Sequence, residues 1–246
     1  MNILVTSGAS QLARAVVESL SATHQVLVTE RVSPAGGAAV VPSRLAVAAL
    51  GSDYSTNLLV RGVEVIVHCG EPLDGEDSLA YLDVMTRGTY NLLLAAVQEG
   101  VRRVVYLSTL KLMAGHDPAN IVTERWRTLP KPTMPLLGKH MGELVCREFA
   151  REHALEVVVL RLGELIEPGT GTVPAPGSMW LDRRDLCATV GAAVTATLPQ
   201  WSVLHVQSRY PGARFPVNDA RQLLGYEPVA DPATAPTTPT EGASVS

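Results

Sequence analysis

Short apolar runs alternate along this chain with longer stretches in which apolar residues return at helical spacing. Asn2 to Thr6 is an apolar run ending in small residues, and Gln11 to Leu20 then sets Leu12, Val16, Val17 and Leu20 on one helical face. That order predicts strand, tight turn, helix. Gln25 to Thr29 and Val63 to Cys69 (VEVIVHC) read as further strands, nearly all apolar, as strands become when helices cover both faces of a sheet. Between them Ser33 to Ser52 is rich in Gly, Ala and Pro, with a third strand expected near Ala39 to Pro42. Leu79 to Glu99 carries a long helical pattern that Gly100 stops, and Val101 to Ser108 (VRRVVYLS) follows as a strand. Thr109 to Pro135 is loop-like. Leu136 to His153 then reads as an amphipathic helix, Leu155 to Leu160 as a strand, Asp185 to Thr197 as a helix and Ser202 to Val206 as a last strand. Pro168 to Pro176, rich in proline and glycine, predicts an irregular connection.

Regular alternation of strand and helix implies an α/β protein with a doubly wound parallel sheet of the Rossmann type. One domain is expected over residues 1–228, with a nucleotide-binding core at 1–162 and a small C-terminal, substrate-side region at 163–228. Residues 229–246 have no apolar periodicity and are rich in Pro, Thr, Ser and Ala, so a disordered tail is expected there. A formal net charge of −4 with scattered basic residues removes the electrostatic footprint of a nucleic-acid binder. Cys69, Cys146 and Cys187 stand alone, without metal-ligand spacing, which argues against a metal site and suits a reducing compartment. With no basic leader and no apolar segment of about 18 residues, no membrane partner is expected and the predicted location is cytoplasmic.

A first strand that crosses into its helix beside a dinucleotide needs small residues: one for the turn, one for the approach of the pyrophosphate, one for helix packing. The loop here is Thr6-Ser7-Gly8-Ala9-Ser10-Gln11-Leu12-Ala13. Ser7, Ser10 and Ala13 stand where glycines are usual, and a serine at the closest approach either obstructs a phosphate or hydrogen-bonds it. The helix N-terminus still offers N–H groups and the positive end of its dipole to an anion. Glu30 closes the second strand where an acidic residue accepts hydrogen bonds from ribose hydroxyls, which favours NAD. Arg31 beside it would suit the 2′-phosphate of NADP, and both groups are equally readable as ordinary solvated charges.

His68-Cys69-Gly70-Glu71, Arg87-Gly88-Thr89-Tyr90-Asn91, Gly100 to Thr109 (GVRRVVYLST), Leu160-Arg161-Leu162-Gly163 and Leu223 to Pro228 (LLGYEP) occur in that order along the chain. Together with the loop, they resemble the extended, epimerase/dehydratase-like branch of the short-chain dehydrogenase/reductase superfamily, uronate dehydrogenases included. The resemblance implies a nicotinamide dinucleotide held by Thr6, Gly8, Ser10, Gln11, Leu12, Glu30, Arg31, His68, Cys69, Gly70 and Lys139. It also implies a catalytic Ser/Thr at Thr109, a catalytic lysine at Lys139 and a homodimer formed through the helices 79–99 and 136–153. With three lysines in the whole chain, Lys139 at that spacing is informative.

The resemblance breaks at the family's general acid/base tyrosine, four residues before the lysine, where Pro135 stands. Such a group contributes roughly 10²- to 10⁴-fold in rate. Met85 replaces a usual asparagine, and the arginine that would clamp a uronate aligns near Ala175. Lys111, His116 and His140 are the nearby proton donors. These losses predict a catalytically impaired relative serving as a cofactor sensor or regulatory subunit. Two alternatives stand beside it: an active NAD(P)-dependent oxidoreductase or epimerase on a sugar-like or carbonyl substrate, and an interaction scaffold without cofactor.

Overall fold

The structure, a computed structural model, describes residues 1–31, 44–73, 75–166, 179–209 and 212–229. Its first half runs β1 (Asn2–Val5), α1 (Gln11–Leu20), β2 (Gln25–Glu30), β3 (Arg44–Val47), α2 (Tyr54–Val60), β4 (Val65–His68) and α3 (Ser78–Leu82). A π-helical turn (Asp83–Gly88) leads into α4 (Thr89–Gln98), β5 (Arg103–Thr109), a 3₁₀ turn (Leu110–Met113) and α5 (Met134–Glu152). The rest comprises β6 (Glu156–Leu162), β7 (Glu164–Ile166), β8 (Trp180–Asp182), α6 (Arg183–Thr195), β9 (Trp201–Val206) and α7 (Asn218–Leu224).

Seven strands form one sheet in the order β3-β2-β1-β4-β5-β6-β9, every pairing parallel. Alternate residues of each strand feed two cores. Ile3, Val5, Val65 and Val67 meet α1 and α6 on one face, while Leu4, Ile66, Val104 and Tyr106 meet α2, α4 and α5 on the other. Burial on both faces explains why these strands read as unbroken apolar runs. Arg103, 1% exposed at the start of β5, donates to the carbonyls of Ala193 at 2.8 Å and Ala196 at 2.6 Å and pairs with Glu156. Its charge thereby caps the negative end of the α6 dipole.

The doubly wound architecture expected from the pattern is the one observed. Among the details that differ, β3 lies at Arg44–Val47, whereas the expected site at 39–42 falls outside the described residues. As an edge strand with mostly exposed side chains, it leaves little apolar signature. The helix expected over 79–99 is broken into α3, the π turn and α4. A two-stranded parallel sheet of β7 and β8, and the short helices α2 and α7, add to the elements the pattern predicts. The connection at 168–176 and the tail from 230 onward lie outside the described residues. Among the described residues, no helix is long and apolar enough to cross a membrane, no cluster of potential metal ligands occurs, and the three cysteines are free.

Two glycines bring α5 close to its neighbours. A Cβ on Gly138 would lie 2.5 Å from Met85 Sδ, and one on Gly142 would collide with the Tyr106 hydroxyl. Gly142→Ala is therefore expected to cost about 1–3 kcal/mol through overpacking, read as a lower midpoint of urea unfolding. An unchanged midpoint would show that Tyr106 yields freely.

Candidate active site

Strand order reverses between β1 and β4, which opens a crevice beyond the carboxyl ends of the strands, where ligands bind in open α/β sheets. A cleft of about 950 Å³ lies there, running from Ala9, Ser10 and Glu30 at one end to Thr109, Pro135 and Lys139 at the other.

Each substitution in the loop after β1 has a local structural outcome. Ser7 keeps the left-handed backbone of the glycine usual there, with φ of 55°, at a cost of about 1 kcal/mol. Its Oγ accepts a hydrogen bond of 3.0 Å from the backbone N–H of Glu71, which ties the β1 loop to the β4 loop across the switch point. Gly8 packs so tightly on β2 that a Cβ would overlap the Val28 side chain. Ser10 is the N-cap of α1, and its Oγ accepts from the N–H of Ala13 at 3.1 Å. The hydroxyl is thus engaged in capping the first helical turn, while the residue remains on the cleft wall. Gln11 lines the cleft, whereas Leu12 packs partly buried against the core.

Glu30 is 5% exposed and on the cleft wall, and its carboxylate accepts from the N–H groups of Ala9 at 2.9 Å and Arg31 at 2.7 Å. Both oxygens keep lone pairs for ribose hydroxyls. The Arg31 guanidinium pairs with Glu76, beyond β4, so its charge is already answered within the protein.

Thr6, His68 and Cys69 form the floor beneath the cleft. The N–H of Cys69 donates to Thr6 Oγ1 at 3.1 Å, Thr6 Oγ1 meets His68 Nδ1 at 2.8 Å, and His68 Nε2 meets Thr89 Oγ1 at 2.9 Å. Thr89 in turn donates to the carbonyl of Met85, at 2.7 Å, in the π turn. With the Thr89 proton committed to Met85, Nε2 must carry the imidazole proton and Nδ1 must accept from Thr6, so only a neutral ring satisfies the chain. Burial, with the Lys139 charge adding to it, lowers the His68 pKa to about 3. Gly70 follows with φ of 55°.

Lys139 projects from α5 into the crevice and is 6% exposed. Its ammonium donates to the carbonyl of Cys69 and, at 2.9 Å, to that of Leu107, and lies 3.9 Å from Glu71 Oε1. Burial lowers the lysine pKa, and the Glu71 carboxylate opposes that shift. Thr109 ends β5 on the same cleft, its Oγ1 accepting from the N–H of Lys111. Pro135, in the first turn of α5, presents a hydrocarbon ring where the resemblance implies a phenol. Of the three substitute donors, only Lys111 lines this cleft, and it pairs with Glu164. His116 is bound to the Arg127 carbonyl and His140 to Thr128. Sequence reasoning passed over several cleft residues, among them Arg14 on α1, Tyr81 on α3 and Glu71. Glu71 had a signal: it is the one charged residue in the tetrad that ends β4.

The residues fit a dinucleotide. A helix N-terminus, a carboxylate and a buried ammonium border one continuous cleft.

The family model for the NAD dependent epimerase/dehydratase family matches residues 3–181. The chain belongs to this family. A curated relative is L-arabinose 1-dehydrogenase (NAD(P)(+)) of Haloferax volcanii, 26% identical over 260 residues that cover 94% of this chain and 98% of the relative. Among solved structures, glucuronic acid dehydrogenase from Chromohalobacter salexigens superposes with a TM-score of 0.81 at 20% identity, covering 94% of this chain and 85% of that one. A tyrosine-to-alanine mutant of uronate dehydrogenase from Agrobacterium tumefaciens, complexed with NAD, gives 0.80 at 22% identity, with 97% and 92% covered. At these identities the superpositions establish the fold.

Proposed function

We propose that this chain is an NAD-dependent oxidoreductase that oxidises a hydroxyl group of a sugar or sugar acid. The observation that carries the reading is Lys139: its ammonium is buried in the same cleft as the Thr109 hydroxyl and the Glu30 carboxylate. Glu30 binds the adenosine ribose, the α1 N-terminus and Arg14 face the pyrophosphate, and Lys139 holds the nicotinamide ribose. Thr109 Oγ1 orients the substrate oxygen. When bound, the dinucleotide supplies the hydride acceptor. The Glu30 charge and the engagement of Arg31 by Glu76 disfavour a 2′-phosphate, which supports NAD over NADP. The L-arabinose 1-dehydrogenase relative and the uronate dehydrogenase neighbours support the substrate class. Exposed Tyr90 on α4 and Met141 and Leu144 on α5 suit a two-fold homodimer through those helices, to be checked by light scattering.

A second reading rests on Pro135 and Met85: a protein that binds the dinucleotide and signals its presence without turnover. A titration with NADH and NADPH tests what both readings share. Saturable binding below about 1 mM, at least about 4 kcal/mol, is expected for NADH, with Lys139→Ala weakening it about tenfold or more. Absence of binding by either nucleotide would overturn both readings and leave the scaffold without cofactor.

A further inference from the structure

The departures from the family motif touch one another. Ser7 holds the backbone N–H of Glu71, and the Glu71 side chain reaches the ammonium of Lys139 at 3.9 Å. Pro135, four residues before Lys139 on α5, borders the same space. The family places a tyrosine hydroxyl beside this lysine; here a carboxylate stands beside it, introduced from the loop after β4 instead of from α5. Ser7 accepts left-handed backbone strain at a glycine position, and what that serine gains is the bond that fixes Glu71.

The other carboxylates and the second lysine of the cleft already have partners. Both oxygens of Glu30 accept backbone N–H groups, Glu18 pairs with Arg183, and Lys111 pairs with Glu164. Glu71 keeps a side chain 27% exposed on the cleft, open to a substrate on one side and to water for proton exchange.

Resting on the oxidoreductase reading above, we propose that Glu71 is the catalytic base that stands in for the missing tyrosine. As the substrate alcohol is oxidised, its O–H bond breaks and the proton passes to the Glu71 carboxylate. The hydride leaves the same carbon for the oxidised nicotinamide dinucleotide, which is reduced, and the carbon–oxygen double bond forms. Glu71 then releases its proton to solvent, so the net products are a carbonyl compound, the reduced dinucleotide and one proton. The Lys139 ammonium, 3.9 Å away, supplies the positive charge that attracts the carboxylate.

The test compares the chain with Glu71→Gln, Glu71→Asp, Tyr81→Phe and the double variant Glu71→Gln/Pro135→Tyr. Turnover is followed on NAD with L-arabinose, glucuronic acid and a panel of other aldoses and uronates, and NADH affinity is measured separately by calorimetry. Glu71→Gln should lower kcat by roughly 10²- to 10⁴-fold, with NADH affinity and the sugar KM held within about threefold. Glu71→Asp should retain part of the rate, and Pro135→Tyr should restore at least about tenfold in the Gln background by returning a phenol to Lys139. An unchanged kcat in Glu71→Gln overturns the proposal. So does a parallel loss of rate and NADH affinity, which would make Glu71 structural, or a rate lost in Tyr81→Phe and kept in Glu71→Gln. A wild-type chain that binds NADH but oxidises nothing on the panel overturns the base assignment while leaving cofactor binding intact. One that binds no dinucleotide brings down the functional reading itself.

Discussion

Arg161→Met should cost about 3–5 kcal/mol of folding stability, the penalty of stranding a buried charge. The guanidinium on β6 grips Glu143 of α5 through two bonds, Nε to Oε1 at 3.0 Å and Nη2 to Oε2 at 2.7 Å, with both side chains 7% exposed. Ser108 adds a third bond of 2.6 Å to Oε1. Removing the arginine leaves a buried carboxylate with the Ser108 hydroxyl as its remaining hydrogen-bond partner. The double variant Arg161→Met/Glu143→Leu should recover most of the loss, because a packed apolar pair of similar volume is often as stable as a buried ion pair. Urea unfolding of the two variants checks this. A single variant within about 1 kcal/mol of wild type would mean that water reaches Glu143.

Stability should also fall by about 4 kcal/mol between pH 7 and pH 5. His68 and His205 are fully buried, and burial lowers each pKa to about 3, from an ordinary value of 6.5. Between those two values the unfolded chain binds protons that the folded chain refuses. The stability is therefore complete above about pH 6.5 and lost progressively as the pH falls. His205 lies 3.9 Å from Glu124, a geometry that could suggest a charged pair. Burial and the neighbouring Arg161 charge hold the imidazole neutral, so the contact is not an ion pair; burial also raises the Glu124 pKa. Urea midpoints at pH 7 and 5 measure the effect, and His205→Leu should halve it. A midpoint independent of pH would show the rings to be solvated.

Much of this architecture is legible in the amino-acid order, because strands buried on both faces cannot avoid being apolar and the helices between them keep their period. Lys139 is legible for another reason: lysine is rare here, and its place in the helix after β5 is fixed by spacing. What escaped has physical causes too. The Ser7 to Glu71 bond joins residues far apart in the chain, and nothing in either neighbourhood announces it. Edge strand β3 hides because its side chains face solvent, and β7 and β8 because three residues each are too few to show alternation. Ser10 looks obstructive in one dimension, yet its hydroxyl is spent on capping α1. His68 and Cys69 read as cofactor contacts, and the fold buries both beneath the cleft.

The π turn at 83–88 carries a consequence of angular phase. Each residue of an α-helix advances the side chain by about 100°, and a π turn holds roughly one residue more than the α turn it replaces. Helix α3 is thereby rotated out of phase with α4 along one continuous path. Tyr81 faces the cleft, while Leu92, Leu93 and Ala96 point into the core. One backbone irregularity lets a single rod serve a ligand-facing wall and a packed interior at once.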